Sequence, residues 1–265
     1  MSTITPPSSS QPHGPSDSSS SSSAAQNLRA VESGTLKVTE IFYSIQGEST
    51  YAGGPCVFVR LMACNLRCSW CDTAYSFAEG RTLSLEEILN QVASFHCRTV
   101  EITGGEPLLQ PDVYKLMGEL LTRNYRVLLE TSGERPIAAV PREAVKVVDV
   151  KCPSSGEAGR FHMENLRHLA PHDELKFVIK DEADYRYARE WVRTQPIPPA
   201  VTILFSPVVD GTSQALQGHA DSEEPLRESC VRARHLAEWI LRDHLPVRLQ
   251  IQLHKWLWGA KARGV

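Results

Sequence analysis

Short apolar, β-rich runs alternate with segments of helical period along most of this chain, and that alternation limits its fold more than any other feature. The runs cover residues 57–62, 100–103, 127–130, 147–150, 175–179, 202–205 and 249–253. Between them, "SLEEILNQVASF" begins at Ser84, which forms a capping box with Glu87 and puts Leu85, Ile88, Leu89 and Val92 on one face. Pro111 and Asp112 open a second helix carrying Val113, Leu116, Leu120 and Leu121. Further helical patterns occupy 182–193 and 230–242. Such regular alternation predicts βα units and a parallel sheet, an α/β fold. The runs read as apolar on both faces, as buried parallel strands are. Right-handed crossovers then give a full or partial (β/α) barrel or an open, doubly wound sheet, and periodicity leaves both open. In either, function is expected beyond the carboxyl ends of the strands.

The first 34 residues lack this pattern. Ser, Pro, Gly and other polar residues dominate 1–25, with an unbroken Ser run at 18–23. Too little apolar surface is available there to offset chain entropy, so 1–34 is expected to be a disordered tail ahead of one folded domain, 35–265. The start has no basic segment followed by the ~7–15 apolar residues of a secretory signal. No apolar run elsewhere approaches the ~18 residues that span a bilayer. The expectation is a cytoplasmic protein with no membrane contact. Twenty-eight Lys and Arg against 31 Asp and Glu give a net charge of −3. The signs are mixed along the chain, which argues against a nucleic-acid partner or a polybasic anchor. The Ser/Gln/Gly-rich stretch 210–224 reads as a loop.

Seven cysteines in a chain without an export signal point to thiols, metal ligands or catalytic groups rather than disulfides. Cys56, Cys97, Cys152 and Cys230 lie among apolar neighbours and read as small buried hydrophobes. Cys64, Cys68 and Cys71 stand on a C-x-x-x-C-x-x-C spacing just past the run ending at Met62, with no fourth cysteine nearby. A zinc site would need a further ligand from elsewhere or a water. A cubane held by three thiolates keeps one iron free to bind something else. The spacing alone leaves both open. "TVEITGGEP", residues 99–107, is a strand followed by a glycine turn. Gly104 and Gly105 there admit close approach of the main chain to a ligand, and Glu106 offers a carboxylate to an ammonium. Alone, such a turn is more often a strand-terminating loop.

Together, the cysteine spacing with Trp70 ahead of the last cysteine and the Gly-Gly-Glu turn resemble the motifs of the radical S-adenosylmethionine superfamily. The resemblance implies a partial (β/α) TIM-like barrel. It also implies a 4Fe-4S cluster on Cys64, Cys68 and Cys71, whose unique iron is chelated by S-adenosylmethionine. The reduced cluster then releases a 5'-deoxyadenosyl radical, chemistry that belongs to the cofactor. The stretch "EIFYSIQGESTYAGGPCVFVRLMACNLRCSWCDTAYS" is similar to the 7-carboxy-7-deazaguanine synthase family. So, in order, are "EITGGEPLLQ", "LETSG", "DVKCPSSG", "ELKFVI", "SPV" and "QLHKWLWGAKARGV", which extends the similarity over nearly everything after Gly34. That family implies a lyase of queuosine (7-deazapurine) biosynthesis that turns 6-carboxy-5,6,7,8-tetrahydropterin into 7-carboxy-7-deazaguanine with loss of ammonia. Mg2+ assists. An electron donor such as flavodoxin and a homodimer are further family expectations.

The same resemblance assigns residues. Ile45, Gln46 and Gly47 would meet the pterin edge and Glu48 its amino-pyrimidine nitrogens, while Arg60 would fork a carboxylate. Thr103, His254 and the terminal carboxylate of Val265 are further substrate contacts. Thr73 would ligate magnesium, which keeps several waters and completes its octahedron from the substrate carboxylate. For S-adenosylmethionine the resemblance implies Trp70, Cys71, Asp72, Gly104, Gly105, Glu106, Lys151, Ser154 and Ser155, with Ser132 and Ser206 at other strand ends. "QLHKW" reads as a final strand. No side chain is assigned as an acid or base catalyst. The chain departs from the family at Ser49, where members commonly carry glycine, and a bend needing positive φ would be strained there. Two other readings share some features. One is a radical activating enzyme acting on a partner protein, which "SIQGE", Arg60 and "CDT" would separate. The other is a non-catalytic zinc module, which metal content would separate.

Overall fold

The structure, a computed structural model, describes residues 31–209, 224–259 and 262–265, excepting the side chains of 224–232. Residues 1–30 of the expected tail, most of the predicted 210–224 loop and the Cys230 side chain lie outside the described residues. Residues 31–34, assigned to the tail by composition, belong to the compact unit Val31–Val265. The Glu32 N–H donates to Glu119 at 3.1 Å, and the Gly34 carbonyl accepts from the Leu85 N–H at 3.1 Å.

The strands are β1 (Thr35–Ile45), β2 (Pro55–Leu61), β3 (Arg81–Ser84), β4 (Thr99–Gly104), β5 (Arg126–Thr131), β6 (Val145–Asp149), β7 (Glu174–Ile179), β8 (Thr202–Pro207) and β9 (Arg248–Leu249). The helices are α1 (Leu85–Ser94), α2 (Val113–Thr122), α3 (Glu182–Thr194), α4 (Glu224–Arg242) and α5 (Leu253–Trp258). Among the described residues they build one sheet in the order β3-β1-β2-β4-β5-β6-β7-β8-β9. From β2 to β9 every pairing is parallel, while β1 runs antiparallel to both β2 and β3. The edge strands β3 and β9 do not pair with each other, so the barrel is partial. No helix among the described residues is long and apolar enough to cross a membrane.

The two faces of the sheet differ in kind. On the outer face Val100, Ile102, Val127, Leu129, Leu175 and Phe177 pack in one core with Ile88, Leu116, Tyr185 and Leu236 of the helices. The inner face holds a small apolar cluster of Phe42, Cys56, Phe58, Leu128 and Val145. The alternate inward positions Glu101, Thr103, Glu130, Asp149 and Lys176 are polar and line a cavity. The expectation of strands apolar on both faces is therefore corrected: each carries an ionisable or hydroxyl group inward, where period two places it. A second correction concerns the C-terminus. The strand expected at 249–253 is only Arg248–Leu249, and "LHKWLW" is the short helix α5. Its start is tied to the loop after β1, where the Gly47 carbonyl accepts from the Leu253 N–H at 2.9 Å.

The capping box stands at α1. The Ser84 hydroxyl accepts from the Glu87 N–H at 3.2 Å, and the Glu87 carboxylate accepts from the Ser84 N–H at 2.7 Å. Replacing Ser84 by Ala is expected to cost about 1 kcal/mol, read as a lower urea midpoint at unchanged slope.

Candidate active site

The three cysteines sit on the loop after β2, at the carboxyl end of the parallel sheet, and all three line the cavity. The loop is held from several sides. The Leu66 N–H points at Cys64 Sγ at 3.4 Å, and the Arg67 N–H donates to Glu157 at 2.6 Å. The Ser69 N–H and hydroxyl donate to the Ser155 and Ser154 carbonyls at 3.0 and 2.8 Å. Burial pushes the Cys64 and Cys68 thiols up, while Lys151 acts in the opposite sense. Bound iron would supply the positive charge that makes thiolates stable there. No three His, Cys, Asp or Glu side chains among the described residues converge as they do on a single metal ion. The three thiols line one cavity, and that donor set would fit a 4Fe-4S group with one iron left open.

Beside this loop runs the glycine turn, and the structure revises its role. An added Cβ at Gly105 would stand 2.1 Å from the Ala63 oxygen and 2.7 Å from Cys64 Cβ. At Gly104, with φ 147°, it would stand 2.3 Å from the Leu61 oxygen. The glycines thus allow the turn to press on the cysteine loop, and both still line the cavity. Glu106 is corrected. It is fully buried and does not line the cavity. Its oxygens accept from the Leu108 N–H, the Thr131 hydroxyl and the Ser132 N–H and hydroxyl, at 3.0, 2.8, 2.8 and 2.6 Å. It locks the ends of β4 and β5 together.

Across the cavity, Lys176 of β7 is 4% exposed and reaches three carboxylates. It lies 2.7 Å from Glu48, pairs with Glu130, and is 3.9 Å from Asp149. Burial opposes its charge, yet Glu130, Glu48 and Asp149 hold its pKa well above the ordinary lysine value. Burial alone would raise Glu48, but Lys176 and His254 hold it well below the usual carboxylate range. Gln252 donates to the other Glu48 oxygen at 2.8 Å. Lys151 donates to Asp149 Oδ2 at 2.7 Å, and Asp149 Oδ1 is buried without a partner. Thr103 donates to Glu130 at 3.0 Å.

The remaining expected site residues divide in two. Ile45, Gly47, Arg60, Trp70, Asp72, Thr73, Ser132, His254 and Val265 line the cavity. Arg60 gives its Nε–H to Glu40 at 2.7 Å, and Tyr75 gives its hydroxyl to the same Glu40 oxygen at 2.6 Å. That leaves the terminal nitrogens of Arg60 for a carboxylate. Among the described residues the Thr73 hydroxyl has one hydrogen-bond partner, Cys71 Sγ at 3.7 Å. Gly47 makes room for His254, since a Cβ there would stand 2.1 Å from Nδ1. Burial lowers the His254 pKa, and the neighbouring Glu48 carboxylate acts in the opposite sense. Gln46 lines the cavity, but its groups are committed. Its N–H donates to Gly54 and its carbonyl accepts from Gly53, both at 2.8 Å. Its amide donates to Glu101 and accepts from the Glu48 N–H.

Ser154, Ser155 and Ser206 do not line the cavity. The Ser154 hydroxyl donates to Asp181 at 3.0 Å and that of Ser155 to the Cys152 carbonyl at 2.5 Å, so this turn meets the site through the main chain that braces Ser69. The Ser206 hydroxyl is buried without a partner. Ser49 stands at φ 63°, as the missing glycine foretold, with its hydroxyl accepting from the Tyr51 N–H at 3.1 Å.

Sequence reasoning missed Glu101, Glu130, Asp149, Lys176, Gln252 and Lys255. The last is 4% exposed and pairs with Asp72 at 2.7 Å, joining α5 to the cysteine loop. Charged residues inside otherwise apolar runs, as in "VEIT", "LLET", "VVDV" and "ELKFVI", were the available signal. The turn geometry gives a test. Gly105→Ala is expected to fold, by circular dichroism, and to lose most of its iron and sulfide after anaerobic reconstitution.

Comparison with known proteins adds to this geometry. Residues 60–150 match the family described as the Radical SAM superfamily. A 7-carboxy-7-deazaguanine synthase of Koribacter versatilis (strain Ellin345) is 49% identical over 233 residues, 87% of this chain and 100% of that protein. Those of Chlorobaculum tepidum and Methanospirillum hungatei are 42% and 35% identical, over 87% and 91% of this chain and 97% and 93% of theirs. The crystal structure of QueE from Escherichia coli shares the fold with a TM-score of 0.64 at 21% identity, covering 83% of this chain and 95% of that one. With relatives matched along almost their whole length and thiols, glycine turn and polar inner face opening on one cavity, this chain belongs to the 7-carboxy-7-deazaguanine synthase family of radical S-adenosylmethionine enzymes.

Proposed function

We propose that the chain converts 6-carboxy-5,6,7,8-tetrahydropterin to 7-carboxy-7-deazaguanine with loss of ammonia, in 7-deazapurine (queuosine) biosynthesis. The observation that carries this is the meeting of three thiols and a buried polar cluster in one cavity. When bound, the cluster and S-adenosylmethionine supply a carbon radical that takes a hydrogen atom from the substrate. The chain's own residues bind, orient and shield.

Arg60 holds the substrate carboxylate through its free terminal nitrogens, a geometry that Glu40 fixes by occupying Nε. Glu48 accepts from the donor edge of the pterin, and Lys176 and Gln252 hold it in place. His254 lies beside it. Trp70, Asp72, Lys151 and the main chain of Gly104 and Gly105 face S-adenosylmethionine. Thr73 supplies one oxygen to Mg2+, and its hydroxyl, with no partner but Cys71 Sγ among the described residues, supports that role. α5, with Ala262, Gly264 and Val265, borders the cavity and limits access of water. An electron donor such as flavodoxin and a homodimer complete the proposal. The exposed Leu249, Ile251, Leu257 and Trp258, at and just after edge strand β9, support self-association.

Anaerobic turnover with 6-carboxytetrahydropterin, S-adenosylmethionine, dithionite and Mg2+ is expected to yield 7-carboxy-7-deazaguanine. A fully clustered enzyme that makes none overturns the assignment. Arg60→Ala is expected to raise KM for the pterin about ten- to hundredfold, the loss of a charge-assisted hydrogen bond. Thr73→Ala should raise the Mg2+ concentration at half-maximal rate and leave cluster content unchanged.

A further inference from the structure

Glu101 stands apart from the other acids of the inner face. It lies mid-strand on β4, opposite Phe58 of β2, and is 5% exposed. One oxygen, Oε2, accepts from the Gln46 amide. The other has no hydrogen bond among the described residues, and the residue lines the cavity. The Gln46 amide orientation is set by its own network, because the Glu48 N–H donates to Gln46 Oε1 at 3.0 Å and leaves the NH2 toward Glu101.

The titratable groups around Glu101 come from four elements. Glu48 faces it from the loop after β1, Cys56 from β2, Glu130 from β5 and Lys176 from β7. Lys176 is already shared by Glu48, Glu130 and Asp149. A further carboxylate charge would thus meet two like charges in a buried space with no cation of its own. Burial first, then Glu130 and Glu48, push the Glu101 pKa well above the ordinary carboxylate range.

We propose that Glu101 works as a neutral carboxylic acid divided between protein and substrate: its carbonyl oxygen holds the Gln46 amide, and its O–H donates to an acceptor atom of the pterin ring. This rests on the reading of the cavity as the pterin site. An amino-pyrimidinone edge carries donors, which Glu48 accepts, next to a lactam oxygen, which needs a donor. Glu48, held well below the usual carboxylate range by Lys176, offers no proton, whereas Glu101 does. It is thereby a specificity-determining residue, favouring a ring with a carbonyl oxygen over one with an amine in its place.

The test compares the clustered wild type with Glu101→Gln and Glu101→Ala. Glutamine keeps one acceptor for Gln46 and one neutral donor for the ring. At neutral pH, Glu101→Gln is expected to stay within about threefold of wild type in kcat and in KM for the pterin, in line with retained hydrogen bonds. Glu101→Ala should raise that KM on the order of ten- to hundredfold and leave KM for S-adenosylmethionine unchanged. As pH rises through the elevated pKa of Glu101, the wild-type KM should climb while that of Glu101→Gln stays flat. Binding of the fluorescent analogue 6-carboxypterin, measured without turnover, should follow the same order and covers the case of an alanine variant that folds poorly. Equal impairment of Gln and Ala variants at neutral pH, or parallel pH profiles for wild type and Glu101→Gln, overturns the proposal. A wild type that turns over no pterin removes the site reading instead.

Discussion

One buried ammonium organises the inner face of this barrel. Lys176 comes from β7, and its partners come from the loop after β1, from β5 and from β6. A charge at that depth is tolerated because carboxylates match it, and removing one side of such a match leaves the other uncompensated. The same contacts that stabilise Lys176 therefore fix Glu48, the group proposed to read the pterin, relative to the strands that carry Glu130 and Thr103. Binding geometry and fold stability share one set of interactions.

The cofactor side is organised by steric contact instead. The turn after β4 presses its main chain onto the end of β2 and the cysteine loop at separations that only glycine allows. Glu106 then ties that turn to the end of β5. A motif that reads in the sequence as a cradle for a ligand is, in this fold, first a cradle for its own neighbouring loop. It presents main-chain atoms to the cavity as a consequence.

The parallel core was legible because its strands carry outward faces of Val, Ile, Leu and Phe long enough to register as apolar runs. β1 escaped notice because "TLKVTEIFYSI" mixes buried and exposed positions, with Thr35, Lys37 and Tyr43 exposed, and so gives no continuous apolar run. α5 was taken for a strand because six residues give too little period to tell, and its buried Lys255 answers to Asp72, nearly two hundred positions away. The site divided along the same line. Cysteines, glycines and "SIQGE" are local motifs and could be read. Glu106, Ser154 and Ser155 stand in the right motifs, yet their side chains turn to other partners, which spacing does not encode. Glu101, Glu130 and Lys176 have meaning only through one another, across strands the sequence does not place side by side.

The braces of the cysteine loop bear on the order in which the site comes into being. The thiols and the short turn behind them are complete by Phe77. The carbonyls that receive Ser69 belong to Ser154 and Ser155, and the ammonium that receives Asp72 belongs to Lys255. During synthesis from the amino terminus, the thiols are therefore among the first parts of the site to exist and the last to acquire their geometry. Closing contacts over such separations is the slow part of forming a fold, and here it also sets the shape of the cysteine loop.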